Sequence, residues 1–399
     1  MDRLPAELLY QIFGSLDLPQ DTQTLRACSL VCSAWLPFAH DRLFATLKVH
    51  GDNARSLGAL SRTVKASACF AQAITSLELV GRTSGDPADL GFKDLRMVLA
   101  RLCRLRYLIL RGGWQLSSRA TESAQKGRSV ISLTKLTLEN CRTFQFILPP
   151  LLRLVSCDEL TIQQTSLRFS FVFSGHSYIP LSIPTDLALS TLTLMHPPAS
   201  ASTVLTGLLA TRTMSTLSSL TIAFHDPPEF TRLLPALGRF LAACTSLKAL
   251  DVRFRDYYAC LTCAPDVMRL TPSDAVKQYL GFALRRLNTL RRFSLGTGYV
   301  PPIKPDCPDD ELRYGAFWEM VLAFVHILPE RVEEVELVLQ DRFDVDSGAL
   351  GEMLARLKGL RFIDVNSRMD EEGVRKVRRA FEDSLRRSGM TLAMAENGE

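Results

Sequence analysis

Leu133–Cys141 reads LTKLTLENC, and its spacing decides the architecture. Leu133, Leu136 and Leu138 follow the order apolar, two others, apolar, one other, apolar. The last two apolar positions alternate with Thr137, which is the side-chain period of a β-strand. Working outward, the same signature occurs ten times from residue 70 onward. Towards the N-terminus it is Leu105-Leu108-Leu110 and Ile74-Leu77-Leu79. Towards the C-terminus it is Cys157-Leu160-Ile162, Leu189-Leu192-Leu194, Leu217-Leu220-Ile222 and Leu247-Leu250-Val252. Leu290-Phe293-Leu295, Val332-Val335-Leu337 and Leu360-Ile363-Val365 complete the series.

Successive motifs start 24 to 43 residues apart, and helical patterns fill the intervals. Phe92–Leu102 carries Leu95, Val98, Leu99 and Leu102; Pro235–Ala243 carries Leu237, Phe240 and Leu241. Pro272–Leu287 opens on Thr271-Pro272-Ser273-Asp274, an N-cap with an acidic residue at the third helical position. Ala316–Leu328 and Ser347–Leu357 are further helices. Strand and helix alternating at such a period imply an α/β solenoid, parallel strands inside and helices outside, in which each unit buries its apolar edge on the next. The period resembles that of leucine-rich repeats, although only LTKLTLENC has the polar or Cys residue three places after the strand.

The wider intervals hold Leu167–Pro184, whose alternating Phe169, Phe171 and Phe173 predict an extra hairpin, and the excursions Arg253–Pro272 and Thr297–Asp310. The amphipathic stretch Asp370–Ser388 predicts a capping helix at the end of the array. The domain plan is therefore residues 1–48 as a helical head and 49–395 as the repeat body, closed by the helix 370–388.

The head is a different object. In Leu4–Phe44, LPAELLYQIFGSLDLPQDTQTLRACSLVCSAWLPFAHDRLF, a first helical pattern holds Leu4, Leu8, Leu9, Ile12, Phe13 and Leu16, with Pro5 at its first turn. A second holds Leu25, Cys28, Leu30, Val31, Cys32 and Trp35, and Leu43-Phe44 close it. About forty residues so rich in large apolar groups form a core too small to cover them all, so a face is left for something else.

These residues resemble an F-box, and the phrase CSLVCSAWLPFAHDRLF is similar to the expanded F-box family of mushroom-forming basidiomycete fungi. The resemblance implies a three-helix head that docks on the Skp-type adaptor of a cullin–RING ubiquitin ligase, with the body presenting a protein substrate. Carried over by position, it implies adaptor contacts through Leu4, Pro5, Leu8, Ile12, Phe13, Leu30, Val31 and Trp35.

Composition narrows the alternatives. A net charge of +5, from 47 basic and 42 acidic residues interspersed, demands no nucleic acid. Most of the ten cysteines sit at apolar positions of helical or strand patterns, where a thiol acts as a small hydrophobe. The sequence has no Asn-x-Ser/Thr sequon, and its longest uncharged run, Leu187–Thr211, contains Pro197 and Pro198 and suits no membrane span. An intracellular protein, cytoplasmic or nuclear, with reduced thiols is the expectation.

No catalytic or metal constellation emerges. Cys260-x-x-Cys263 lacks a second ligand pair, so two loop thiols are the better reading than zinc. Gly296-x-Gly298 is a fragment of a dinucleotide fingerprint followed by Pro301-Pro302, and reads as a turn. His176 has no assignable acidic partner, and Asp341–Asp346 lacks the glycine and glutamate of a calcium loop. Neither cofactor nor metal is expected.

In a solenoid the non-core strand residues line the inner face. Tyr107, Ile109, Arg111, Glu139, Gln163, Met195, Arg253 and Phe362 are the candidate substrate-binding residues, with Tyr107, Ile109, Met195 and Phe362 as apolar anchors on a polar surface. The sequence thus predicts a non-catalytic substrate receptor of a ubiquitin ligase. Its alternative is a repeat scaffold that no longer engages a ligase.

Overall fold

In each of the ten motifs the last two apolar positions lie on a strand, and each described strand pair is parallel. A computed structural model describes residues 4–16, 20–51, 55–82, 88–116, 131–141, 144–163, 182–195, 201–224, 227–254, 271–297, 319–339, 353, 356–357 and 362–367. The chain divides into two units, Met1–Phe169 and Ser170–Glu399.

In the first unit the strands run β1 (Thr46–His50), β2 (Ser76–Val80), β4 (Tyr107–Arg111), β6 (Ile131–Glu139) and β7 (Val155–Gln163), each beside the next in chain order. The registers align Leu77 with Leu108, Leu136 and Leu160, and Leu79 with Leu110, Leu138 and Ile162. These two apolar rows are buried, while the residues between them are half-buried or exposed. The alternation follows from the pleat, which sends neighbouring side chains to opposite faces. Each buried leucine contributes about 1.5–3 kcal/mol of gross transfer free energy.

β1 was not among the ten motifs, and it straddles the boundary expected at residues 48 and 49. It carries the same signature one step earlier, Phe44-Leu47-Val49, with Leu47 beside Leu77 and Val49 beside Leu79. A short second pair, β3 (Ala88–Leu90) and β5 (Trp114–Leu116), lies apart from this sheet. Trp114 fixes it by donating from Nε1 to the Leu79 and Arg111 carbonyls at 3.3 and 3.1 Å. Between β4 and β5 the backbone turns at Gly112, whose φ of +85° lies in the left-handed region and whose N–H donates to the Glu139 carbonyl at 2.8 Å.

The second unit repeats the plan with β8 (Thr191–Met195), β9 (Ser219–Phe224), β10 (Ala249–Phe254), β11 (Arg292–Thr297), β12 (Glu334–Leu339) and β13 (Phe362–Ser367), again in chain order. Leu192, Leu220, Leu250, Phe293, Val335 and Ile363 share one row. Its core carries a run of rings: Phe224 meets Phe230 at 4.9 Å and Phe254 at 5.6 Å, and Phe324 meets Phe230 at 6.0 Å and Phe293 at 5.6 Å. These spacings are those of favourable aromatic pairs.

Parallel neighbours need a crossover, and helices supply most of them. In the first unit these are α4 (Arg55–Ala66), α5 (Ala68–Ala73), α6 (Phe92–Leu99) and α7 (Phe144–Leu154). In the second they are α8 (Ala201–Leu208), α9 (Thr213–Thr216), α10 (Pro227–Ala243), α11 (Pro272–Arg286) and α12 (residues 319–327). The α11 cap forms as the sequence predicts, with Thr271 Oγ1 accepting from the Asp274 N–H at 3.2 Å and donating to Asp274 Oδ2 at 2.8 Å. α10 begins eight residues before the expected Pro235, which it accommodates in its interior. α7 holds Pro149 and Pro150 and was not foreseen. α10 and α11 approach so closely that a Cβ at Gly238 would run into the Tyr279 carbonyl oxygen.

The expected hairpin with Phe169, Phe171 and Phe173, most of the two excursions, most of the helix Ser347–Leu357 and the capping helix 370–388 lie outside the described residues.

Candidate functional site

The head consists of α1 (Ala6–Gly14), α2 (Thr22–Val31) and α3 (Leu36–Leu43). Pro5 stands extended before α1, and its carbonyl accepts from the Leu8 and Leu9 N–H groups at 3.1 and 3.2 Å. At the other end Arg42 reaches from α3 and donates from Nη2 to the Gly14 and Leu16 carbonyls, each at 2.8 Å. A cation is thus placed where the orphan carbonyls of α1 accumulate.

The head buries Leu9, Phe13, Leu25 and Ala39, with Leu16, Cys28, Trp35, Phe38 and Leu43 packed around them. Phe13 sits between Trp35 and Phe38, at ring-centroid distances of 5.9 and 6.1 Å. That small core leaves a second apolar stripe uncovered: Leu4 just before α1, and Leu8 (43% exposed) and Ile12 (50% exposed) on it. Leu30 (87% exposed) and Val31 project from the last turn of α2. Leaving side chains of this size in water forgoes their transfer free energy, so such a patch on so small a module is a candidate contact surface.

Of the eight residues proposed from sequence for adaptor contact, Leu4, Pro5, Leu8, Ile12, Leu30 and Val31 are exposed. Phe13 differs from these six: at 2% exposure it belongs to the head's own core. Trp35 is half-buried and packs on that core. Two exposed apolar side chains were missed, Tyr10 and Leu36. Tyr10 lies edge-on to Phe38 at 4.6 Å with its ring largely in solvent, a position suited to an aromatic body with a polar tip.

The polar strand face of the first unit gathers five of the eight candidate substrate-binding residues. Tyr107 is exposed, Ile109 and Gln163 are half-buried, and Arg111 lies between two carboxylates, 3.4 Å from Glu78 and 2.9 Å from Glu139. Lys48 reaches Glu78 Oε1 at 3.2 Å, and Lys135 stands 3.7 Å from Glu159. Cations and carboxylates therefore alternate across neighbouring strands, and each solvated pair contributes about 0–1 kcal/mol. In the second unit Met195 and Arg253 share a row, separated by Ala223, and Arg253 pairs with its own strand's Asp251 at 2.8 Å. That carboxylate raises the Arg253 pKa further above its ordinary value. The Phe362 backbone occupies the first row of β13, beside Glu334.

Among the described residues no group of three His, Cys, Asp or Glu side chains could hold a metal ion, and no helix is long and apolar enough to cross a membrane. Cys260, Cys263, His176, Gly298 and Asp341–Asp346 lie outside the described residues. No curated protein matches the chain. Residues 1–49 match the F-box-like family model, whose domains generally bind Skp-type adaptors, and this is the segment that folds as the three-helix head with the uncovered apolar stripe.

Proposed function

We propose that the chain is a substrate-receptor subunit of an SCF-type cullin–RING ubiquitin ligase. The observation that carries this reading is the apolar stripe Leu4, Leu8 and Ile12, with Leu30 and Val31, left in water by an F-box-like head. Each of these side chains offers a gross gain of about 1.5–3 kcal/mol when fully covered. Several must act together, because association itself costs on the order of 4–15 kcal/mol.

The body is a leucine-rich α/β solenoid in this reading, supported by the in-register apolar rows and the helical crossovers. Its polar strand face, around Tyr107, Ile109 and Arg111, receives a protein substrate. The subunit performs no chemistry of its own. It raises the effective concentration of substrate near a charged conjugating enzyme, and the ligase reaches it through the adaptor and cullin.

The test is co-expression with a Skp-type adaptor. The wild-type chain is expected to co-purify with it, and the Leu8→Asp, Ile12→Asp double variant is expected to lose the adaptor while its thermal unfolding stays cooperative. Both positions are about half exposed, so the folded head tolerates the change. Adaptor retention by the folded double variant would overturn the reading.

A further inference from the structure

The helical side of the second unit carries a cationic cleft that the head and the strand face do not explain. α11 and α12 border an open recess of about 350 Å³, lined among others by Lys277, Phe282, Arg285, Arg286 and His326. Lys277, Phe282 and Arg285 lie along one side of α11, and Arg356 joins them with Nη1 2.9 Å from His326 Nδ1. A guanidinium has no acceptor, so His326 Nδ1 receives this hydrogen bond and the ring is neutral with its proton on Nε2. Burial lowers the His326 pKa, and Arg356, Arg285 and Lys277 lower it further. Among the described residues, the charged groups that act on this histidine are all cations.

The contrast with the strand faces is sharp. There Lys48, Arg111, Lys135, Arg253 and Arg292 each have a carboxylate partner. Lys277, Arg285 and Arg286 have none among the described residues, and no acidic side chain is among the described residues that line the cleft. Beside these charges Phe282 is 67% exposed, with the Arg286 guanidinium 5.0 Å over its ring. In the second unit it is the one exposed large apolar side chain among the described residues.

We infer that this cleft binds an acidic segment of another protein, with an apolar side chain laid on Phe282 and carboxylates on Lys277, Arg285 and Arg356. The charge pattern calls for an anion. A single apolar anchor in a small recess fits a peptide rather than a membrane surface, which engages a broad apolar helix face. A nucleic-acid strand would use a row of aromatic platforms along a basic track, and Phe282 is the one phenyl ring among the described lining residues.

The experiment uses the full chain and fluorescence anisotropy with a short labelled peptide that has a central leucine flanked by glutamates. The peptide is expected to bind, with affinity falling as salt rises. Its glutamine counterpart and the Lys277→Gln, Arg285→Gln variant are each expected to bind about tenfold more weakly or worse. Phe282→Ala is expected to weaken binding several-fold. All three positions are solvent-facing, and unchanged thermal unfolding verifies that the variants fold. The Leu8→Asp, Ile12→Asp variant is expected to bind the peptide normally, so the inference stands or falls separately from the role of the head. Equal binding of the glutamine peptide, or full affinity in the charge variant, would refute it. So would binding confined to an oligothymidylate or to phosphatidylserine vesicles.

Discussion

Phe44 meets Phe70 edge to face with ring centroids 5.1 Å apart, and this contact ties the last turn of the head to α5. One residue on, the Ala45 carbonyl accepts from the Thr75 and Ser76 N–H groups at 2.9 and 2.8 Å, where β2 begins. Phe44 also opens the motif that becomes β1. The head is therefore continuous with the sheet of the first unit, and whatever docks on α1 is held in a fixed relation to β1 and β2.

Replacing Phe44 by alanine is expected to loosen that junction. Full burial of a phenylalanine would make the change cost roughly 3–5 kcal/mol. Phe44 is half-buried, so about 1–3 kcal/mol is expected. Chemical denaturation measures the loss, and amide exchange is expected to rise in α3 and β1 ahead of β6. Uniform exchange across the first unit would show that the contact does not couple these elements.

Gly238 stands where α10 passes the Tyr279 carbonyl. Gly238→Val is expected to force the two helices apart and lower stability by roughly 1–3 kcal/mol or more, since the obstructing atom is backbone and cannot rotate away. Differential scanning calorimetry checks this. The first unit's share of the unfolding is expected to stay in place, and adaptor binding with it.

The thiols divide by burial. Cys141, Cys157 and Cys244 are pushed up to about 12 by desolvation, so they remain protonated and unreactive at mildly alkaline pH. Cys141 also donates to the Leu110 carbonyl at 3.4 Å, which makes it part of the strand packing. Cys32, Cys69 and Cys103 are exposed. Iodoacetamide labelling read by peptide mass spectrometry is expected to modify these three and spare the buried three. Cys32 follows Val31 directly, so a bound adaptor is expected to protect it and leave Cys69 and Cys103 reactive.

Much of this was legible in the sequence because strand periodicity survives degenerate side chains: all ten motifs became strands. Phe44-Leu47-Val49 escaped because its first residue also ends a helical pattern, so two periodicities share one phenylalanine. α7 escaped because Pro149 and Pro150 read as breakers, whereas packing of Ile147, Leu148, Leu151 and Leu152 into the core overrides them. The burial of Phe13 was not legible for a geometric reason. α1 has two parallel apolar stripes, Leu9–Phe13 and Leu8–Ile12, and spacing alone does not say which one faces inward. The cationic cleft was hidden by distance, since Lys277, His326 and Arg356 come from three segments and each alone reads as an ordinary polar side chain.

The last prediction uses that cleft. Protonating His326 is disfavoured in the fold by burial and by Arg356, Arg285 and Lys277, so its folded pKa lies below the ordinary 6.5. The unfolded chain then takes up this proton at a higher pH than the folded chain does. Stability from this group is complete above about 6.5 and is lost as the pH falls from there towards the folded pKa. Arg356→Gln removes the nearest cation, raises the folded pKa and shrinks that loss. Urea midpoints measured on both sides of this window are expected to fall less on acidification in Arg356→Gln than in the wild type. The acidic peptide should act in the same direction, because carboxylates seated among these cations restore the proton affinity of His326. Identical pH responses of wild type and Arg356→Gln would mean that the guanidinium beside Nδ1 does not govern the histidine.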